Sequence, residues 1–130
     1  GNYWSSDSIP NEDKRISVRK FADDLRMAIG REEVMFVIED VHSMPRQGIA
    51  STFTFARAVG AIEATTQLFR TSWFIVTPQR WKADMGVTAD KNTSLTMARG
   101  FWPDAPLKRV KDNNVAEALL LAEWLRRQEL

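Results

Sequence analysis

The stretch VIEDVHSMPRQGIASTF, residues 37–53, decides the fold, because it leads from a buried strand into a helix. Residues 34–38 form a short apolar run rich in β-branched and aromatic side chains, which favours a strand covered on both faces. Glu39 follows this run at once, and Pro45 and Gly48 then predict a loop. A carboxylate at the end of a buried strand needs a partner or a metal, because burying an unpaired charge is costly.

The segments that follow extend this strand into a βαβ unit. A helix is predicted from a cap at Ser51 or Thr52 to about Phe69, and residues 73–76 form a second buried strand. Strand, helix and strand at this spacing indicate parallel pairing with a right-handed crossover. Elsewhere the pattern predicts a loop or edge strand over residues 1–15, and three helices: 17–30 with its cap at Ser17, 93–100, and 114–128.

Composition excludes several classes of function. Cysteine is absent, so the chain has no disulfide framework, zinc–thiolate site or cysteine nucleophile, which fits a reducing compartment. No apolar run approaches the length of a membrane span. The 130 residues are enough for a single domain, 1–130. Because 18 basic residues face 17 acidic ones, a nucleic-acid surface would have to come from local clustering.

Three acidic residues are candidates for one metal site. In open α/β sheets, ligands bind beyond the carboxyl ends of the strands, where Glu39 lies. Asp112 and Glu117 flank the start of the last helix, and if that helix packs beside the first strand the three carboxylates converge. Oxygen ligands of this kind hold Mg²⁺, and a pair of such ions promotes phosphodiester cleavage. The alternative is structural, and on the residues alone it is favoured for Asp112 and Glu117: Asn114 and Glu117 form a capping box.

Basic and small residues form further patterns. Basic residues occur near the three candidate acids: Arg46, a group at residues 80–82 and a group at residues 108–111. Such cations suit a substrate that carries phosphates, and the alternative is that they form a solvated surface. The Gln47–Gly48 turn before a helix is a weak phosphate-binding candidate. Small residues at helical spacing permit close approach of a sheet or a second subunit; they are Ala56, Gly60 and Ala64. Neither a dinucleotide-binding glycine motif nor a Walker motif is present.

Four segments together resemble one family. They are VIEDVHSMPRQGIASTFTFARAVGAIEA, VTPQRWKADMGV, KNTSLTMARGFWP and KDNNVAEALLLAEWLRR, and the resemblance covers residues 34–127. Their order and spacing resemble the RuvC-like Holliday junction resolvases, closest to the phage branch. The resemblance implies an α/β, ribonuclease H-like fold with a mainly parallel sheet flanked by helices. It also implies a homodimer, Mg²⁺- or Mn²⁺-dependent cutting of branched DNA, no membrane, and the cytoplasm of a bacterial or phage-infected cell.

The resemblance assigns roles to particular positions. The catalytic and metal-binding acids would be Glu39, Asp112 and Glu117. The side chains expected to contact DNA are Arg46, Gln47, Arg80, Lys82, Lys108 and Lys111. The dimer interface would include Ala56, Gly60 and Ala64.

Two departures from the family pattern change these expectations. Relatives open with a glycine-rich strand that carries an essential aspartate, and this sequence has no such strand, so its N-terminal hairpin is expected to be truncated. Asn113 stands where relatives often carry an acid or histidine. We therefore expect weak or absent cleavage, and another segment or a second chain in place of the missing strand. The competing hypotheses are a non-catalytic DNA-binding or assembly module and an unrelated α/β domain whose acids are caps.

Overall fold

The computed structural model describes residue 9 and residues 11–12, 15–30, 34–40, 48–69 and 72–128. It is an α/β structure in which helices predominate. The order along the chain is β1 (Asn11–Glu12), β2 (Arg15–Ile16), α1 (Val18–Ile29), β3 (Phe36–Glu39), α2 (Ile49–Leu68), β4 (Trp73–Val76), α3 (Pro78–Met85), α4 (Lys91–Phe101), a 3₁₀ turn (Val110–Asp112) and α5 (Asn113–Arg126).

Contacts divide the chain into two compact units. The N-terminal unit covers residues 8–75, and the C-terminal unit contains residues 76–130. Among the described residues, every apolar side chain in the fully buried class lies between Val76 and Leu125. The C-terminal unit therefore carries the dry core of this protein.

The N-terminal unit confirms the predicted parallel strand pair. β3 and β4 form a two-stranded parallel sheet, and α2 connects them. The amide of Phe36 donates to the carbonyl of Ser72 at 3.0 Å where the pairing begins. Upstream, β1 and β2 form a short antiparallel hairpin in the segment where the sequence predicts a loop or edge strand.

Helix boundaries follow the predicted pattern closely, with differences at the starts of α2, α4 and α5 and one additional helix, α3. Ser17 caps α1 as predicted, its hydroxyl accepting from the amide of Lys20 at 3.4 Å. The cap of α2 is Gly48 rather than Ser51 or Thr52, and its carbonyl accepts from the amide of Thr52. The last helix begins at Asn113, one residue before the prediction.

The additional helix, α3, is not among the helices that the sequence pattern predicts. Thr77 caps it by accepting from the amide of Arg80 at 3.3 Å, and Pro78 takes the first helical position. A threonine cap followed by proline is a sequence signature of a helix start, because proline has no amide hydrogen to leave unpaired there. Trp81, fully buried on α3, then anchors the helix in the core.

α5 is the centre of the C-terminal unit and packs against both α3 and α4. Its buried side chains cover most of the helix circumference; they are Ala116, Leu119, Leu120, Leu121, Trp124 and Leu125. Burying a leucine contributes about 1.5–3 kcal/mol relative to leaving it exposed. The stability of this unit therefore depends mainly on α5.

Leu120→Ala is expected to lower the free energy of unfolding by about 2–5 kcal/mol, because it opens a cavity at a fully buried position. Urea unfolding followed by far-UV circular dichroism measures the change. The matched control is Val110→Ala, which removes methyl groups from a side chain that is 68% exposed. A similar loss in both variants would contradict the assignment of α5 to the core.

Candidate functional site

One polar side chain from each of three helices meets in the C-terminal unit. The ammonium of Lys82 on α3 lies 3.3 Å from Oε1 of Glu117 on α5. The hydroxyl of Ser94 on α4 donates to the same oxygen at 3.4 Å, which is long for a hydrogen bond of this type. We call these three residues the Glu117 cluster.

The position of Glu117 on α5 explains why it has partners. Its neighbour Ala116 is fully buried, and only 24% of the Glu117 side chain is exposed. A carboxylate that loses most of its water needs compensating charge or hydrogen bonds. Lys82, whose side chain is 29% exposed, supplies the charge, and Ser94, fully buried, supplies a donor.

Asp112 is held by Arg109. Its Oδ2 accepts from the backbone amide of Arg109 at 2.9 Å and from Nε at 3.3 Å, while Oδ1 accepts from Nη2 at 2.9 Å. Only 8% of the Asp112 side chain is exposed. The hydrogen bonds from the Arg109 side chain, and then the bond from its amide, lower the pKa of Asp112. Asp112 therefore fastens the 3₁₀ turn at the entrance of α5.

Asp112 and Glu117 have different partners. Arg109 bonds to Asp112, whereas Lys82 and Ser94 contact Glu117. The capping box predicted for Asn114 and Glu117 is wrong, because α5 begins at Asn113 and Glu117 bonds to α3 and α4 instead. Asp112 does take a capping role, but with Arg109.

Glu39, the third predicted acid, is the last residue of β3 and is partly buried. It belongs to the N-terminal unit, whereas Asp112 and Glu117 belong to the C-terminal unit. Across the described residues, no group of three or more aspartate, glutamate or histidine side chains is arranged to hold a metal ion. The convergence of the three acids therefore stays a prediction.

The residues predicted to contact DNA fall into three groups. Arg46 and Gln47 lie outside the described residues. Arg80, Lys108 and Lys111 are exposed, and the guanidinium of Arg80 lies 5.8 Å from the centre of the Trp124 ring. Lys82 differs from both groups, because it is half-buried and paired with Glu117.

The small residues predicted at a dimer interface share one property. Ala56, Gly60 and Ala64 are all exposed on α2. A Cβ atom added at Gly60 would meet nothing within 4 Å, so contacts within the described chain do not require glycine there.

The sequence analysis did not assign Ser94 or Arg109 to the site. Ser94 is a residue of α4 and belongs to no sequence motif. Its contact with Glu117 becomes apparent only from the packing of α4 on α5. Arg109 precedes Asp112 by three residues, a spacing that allows an arginine to reach back to a carboxylate in a tight turn. That spacing was the available signal.

No protein-family model matches the chain, and no curated protein sequence matches it significantly. In the described part of the chain, none of the helices combines the length and apolar character that a bilayer span requires.

Asp112→Asn is expected to lower stability at neutral pH and to flatten its decline in acid. The folded pKa of Asp112 lies below the ordinary value of 3.8. The carboxylate therefore stabilises the fold above about pH 3.8 and loses this effect as the pH falls through the folded pKa. Urea midpoints measured between about pH 7 and pH 3 report this change.

The matched control is Asp104→Asn, an exposed carboxylate in the loop after α4. This control should keep the wild-type pH profile of stability. An unchanged acid limb in Asp112→Asn would mean that Arg109 does not stabilise the ionised carboxylate.

Proposed function

We propose that the chain is a metal-dependent, structure-selective endonuclease domain that acts on Holliday junctions or other branched DNA, with cleavage that is weak or absent. The observation that supports this most is the Glu117 cluster. Its members Lys82, Ser94 and Glu117 come from three of the four segments that resemble the RuvC-like resolvases. Segments that are separate in sequence thus contribute their polar side chains to one place, which is how an active site is assembled.

A ribonuclease H-like fold is part of this proposal. This fold is supported by the parallel pair β3–β4 and by the helix α2 that connects the two strands. It is also supported by Glu39, an acid at the carboxyl end of β3. In α/β proteins, residues at this end of a strand are the usual source of ligand contacts. Glu39 is accordingly proposed as the ligand-binding carboxylate of the N-terminal unit.

The donor set fits Mg²⁺ or Mn²⁺ in part. Carboxylate oxygens are the ligands that these ions prefer, and both contacts to Glu117 fall on Oε1, leaving Oε2 outside them. Asp112 does not fit in this arrangement, because Arg109 engages both of its oxygens. We therefore propose Glu117 as a metal ligand in the C-terminal unit and Glu39 as a candidate ligand in the N-terminal unit, each taken by itself. A bound divalent cation would polarise a phosphodiester and activate water.

Lys82 is proposed to balance the charge of Glu117. Its ammonium lies 3.3 Å from Oε1 of Glu117, so the two opposite charges lie side by side. A cation that releases this lysine would leave its ammonium free to meet a DNA phosphate. The outer phosphate contacts are proposed to be the exposed residues Arg80, Lys108 and Lys111.

A homodimer interface is proposed on α2. It would include the small residues Ala56, Gly60 and Ala64.

A second candidate function is DNA binding without cleavage. The hydrogen bonds between Arg109 and Asp112 favour this function. They give Asp112 a structural role, although the resemblance assigns it to catalysis. A site that relies on fewer carboxylates holds metal less tightly.

Cleavage of a four-way DNA junction by wild-type protein tests the proposal. A labelled junction and a linear duplex of the same sequence are compared in Mg²⁺, in Mn²⁺ and in EDTA. We expect tighter binding to the junction than to the duplex, and only weak nicking, which requires the metal. Glu39→Gln and Glu117→Gln are expected to abolish nicking with binding retained, because each removes a charged oxygen ligand.

The matched control is Glu123→Gln, which removes the same charge from α5 at a glutamate paired with Arg126 and Arg127. Its nicking should equal that of the wild type. Junction binding without nicks in any metal would establish the second candidate. Equal binding to junction and duplex, or none to either, would overturn both.

The double variant Lys108→Ala, Lys111→Ala is expected to weaken junction binding and to reduce the slope of log affinity against log salt by about 2. Both ammonium groups are exposed beside the 3₁₀ turn, which suits contact with phosphates. The control Arg127→Gln removes a cation roughly 20 Å further along α5. An unaltered salt slope in the double variant would place the DNA elsewhere.

A further inference from the structure

A groove in the N-terminal unit has the chemistry of an anion site. It encloses about 230 Å³ between the β1–β2 hairpin, the start of α1 and one face of α2. Its polar wall consists of Asn11, Arg15, Thr54 and Arg57, and small and apolar side chains form the rest. No aspartate or glutamate is among the residues that line it.

The two arginines of the groove are the source of its positive charge. Neither Arg15 nor Arg57 takes part in a salt bridge within the described residues. Two guanidinium groups in one groove without a counter-ion repel each other, so an anion placed there gains from both. Arginine also offers a planar fork of N–H donors that matches phosphate oxygens.

The acidic residue paired with Arg15 in the hairpin already has a partner in Lys20. Glu12 lies directly opposite Arg15 in the strand pair, but its carboxylate forms an ion pair with Lys20 at 2.7 Å. The hydrogen bond from Lys20 is the main reason that the pKa of Glu12 is lowered. Lys20 thus takes the carboxylate that would otherwise neutralise Arg15.

Arg57 is oriented by an aromatic ring. Its guanidinium lies 5.3 Å from the centre of the Phe53 ring, one turn earlier on α2. Stacking of this kind restricts the side chain and leaves the N–H groups at the edge of the guanidinium for an anion. Thr54 precedes Arg57 by three residues and lines the same groove, and the small side chains of Ala58 and Ala61 keep the groove open.

We propose that this groove binds a phosphate group between Arg15 and Arg57. The donors in its wall are two guanidinium groups, a hydroxyl and an amide. Together they offer more N–H and O–H groups than the two oxygens of a carboxylate can accept, so they suit the larger number of oxygens on a phosphate. The groove is open, so the phosphate is either free or carried on a nucleic-acid strand. This inference is independent of the proposed nuclease activity, because it needs no metal and involves neither Glu39 nor Glu117.

Arginine side-chain NMR of the 130-residue chain tests the proposal. Nε–Hε signals are recorded during titration with inorganic phosphate at constant ionic strength, and separately with a DNA duplex in EDTA. Signals of Arg15 and Arg57 are expected to shift together with one dissociation constant. Arg15→Gln and Arg57→Gln are each expected to weaken binding about tenfold, the loss expected for one charge-assisted hydrogen bond.

The matched control is Arg19→Gln, an exposed arginine of α1 that does not line the groove. Binding to this variant should match the wild type, which separates a site from general attraction to positive charge. Shifts with phosphate alone would identify a free phosphate as the ligand, and shifts with DNA in addition would identify a backbone phosphate. No shift with either, or equal losses in all three variants, would overturn the proposal whether or not the protein cleaves DNA.

Discussion

The burial of α5 is the constraint on which the C-terminal unit depends. A helix covered by α3 and α4 over most of its circumference leaves little water for the charged groups that it carries. Each such group must therefore find a partner, and the described contacts supply one: Lys82 and Ser94 for Glu117, Arg126 and Arg127 for Glu123, and Asp84 for the indole nitrogen of Trp124. Trp81 Nε1 is the exception among the buried polar side-chain atoms of the described residues.

This constraint separates the two acids near the start of α5. Asp112 is satisfied locally by Arg109, through bonds that a tight turn makes available and that fix the direction in which the helix begins. Glu117 is satisfied by residues distant in sequence, so its position depends on the packing of three helices. Local bonds therefore explain the position of Asp112, whereas tertiary packing explains the position of Glu117.

The sequence predicted the order of most helices and strands because local signals mark them. Unbroken apolar runs predict β3 and β4, and the serine before an apolar helical face predicts the start of α1. The runs do not show how deeply the strands are buried. The structure shows that β3 is half-buried along its length.

The start of α3 also has a sequence signature, Thr77 followed by Pro78, but the polar residues after it hide the single buried anchor, Trp81. In the Glu117 cluster, Glu117 and Lys82 are predicted as site residues, whereas Ser94 has no sequence signal. The contact that Ser94 makes depends on how α4 packs against α5.

Observation of the two carboxylates during a Mn²⁺ titration tests the central claim most directly. The protein is labelled with ¹³C at its carboxyl groups. A bound Mn²⁺ ion first broadens the ¹³C signal of the carboxylate that coordinates it. The account predicts that the Glu117 signal broadens at low Mn²⁺, while the Asp112 signal, held by Arg109, persists to higher concentrations. Broadening of Asp112 before Glu117, or of neither, would contradict the assignment of Asp112 to structure and Glu117 to metal binding.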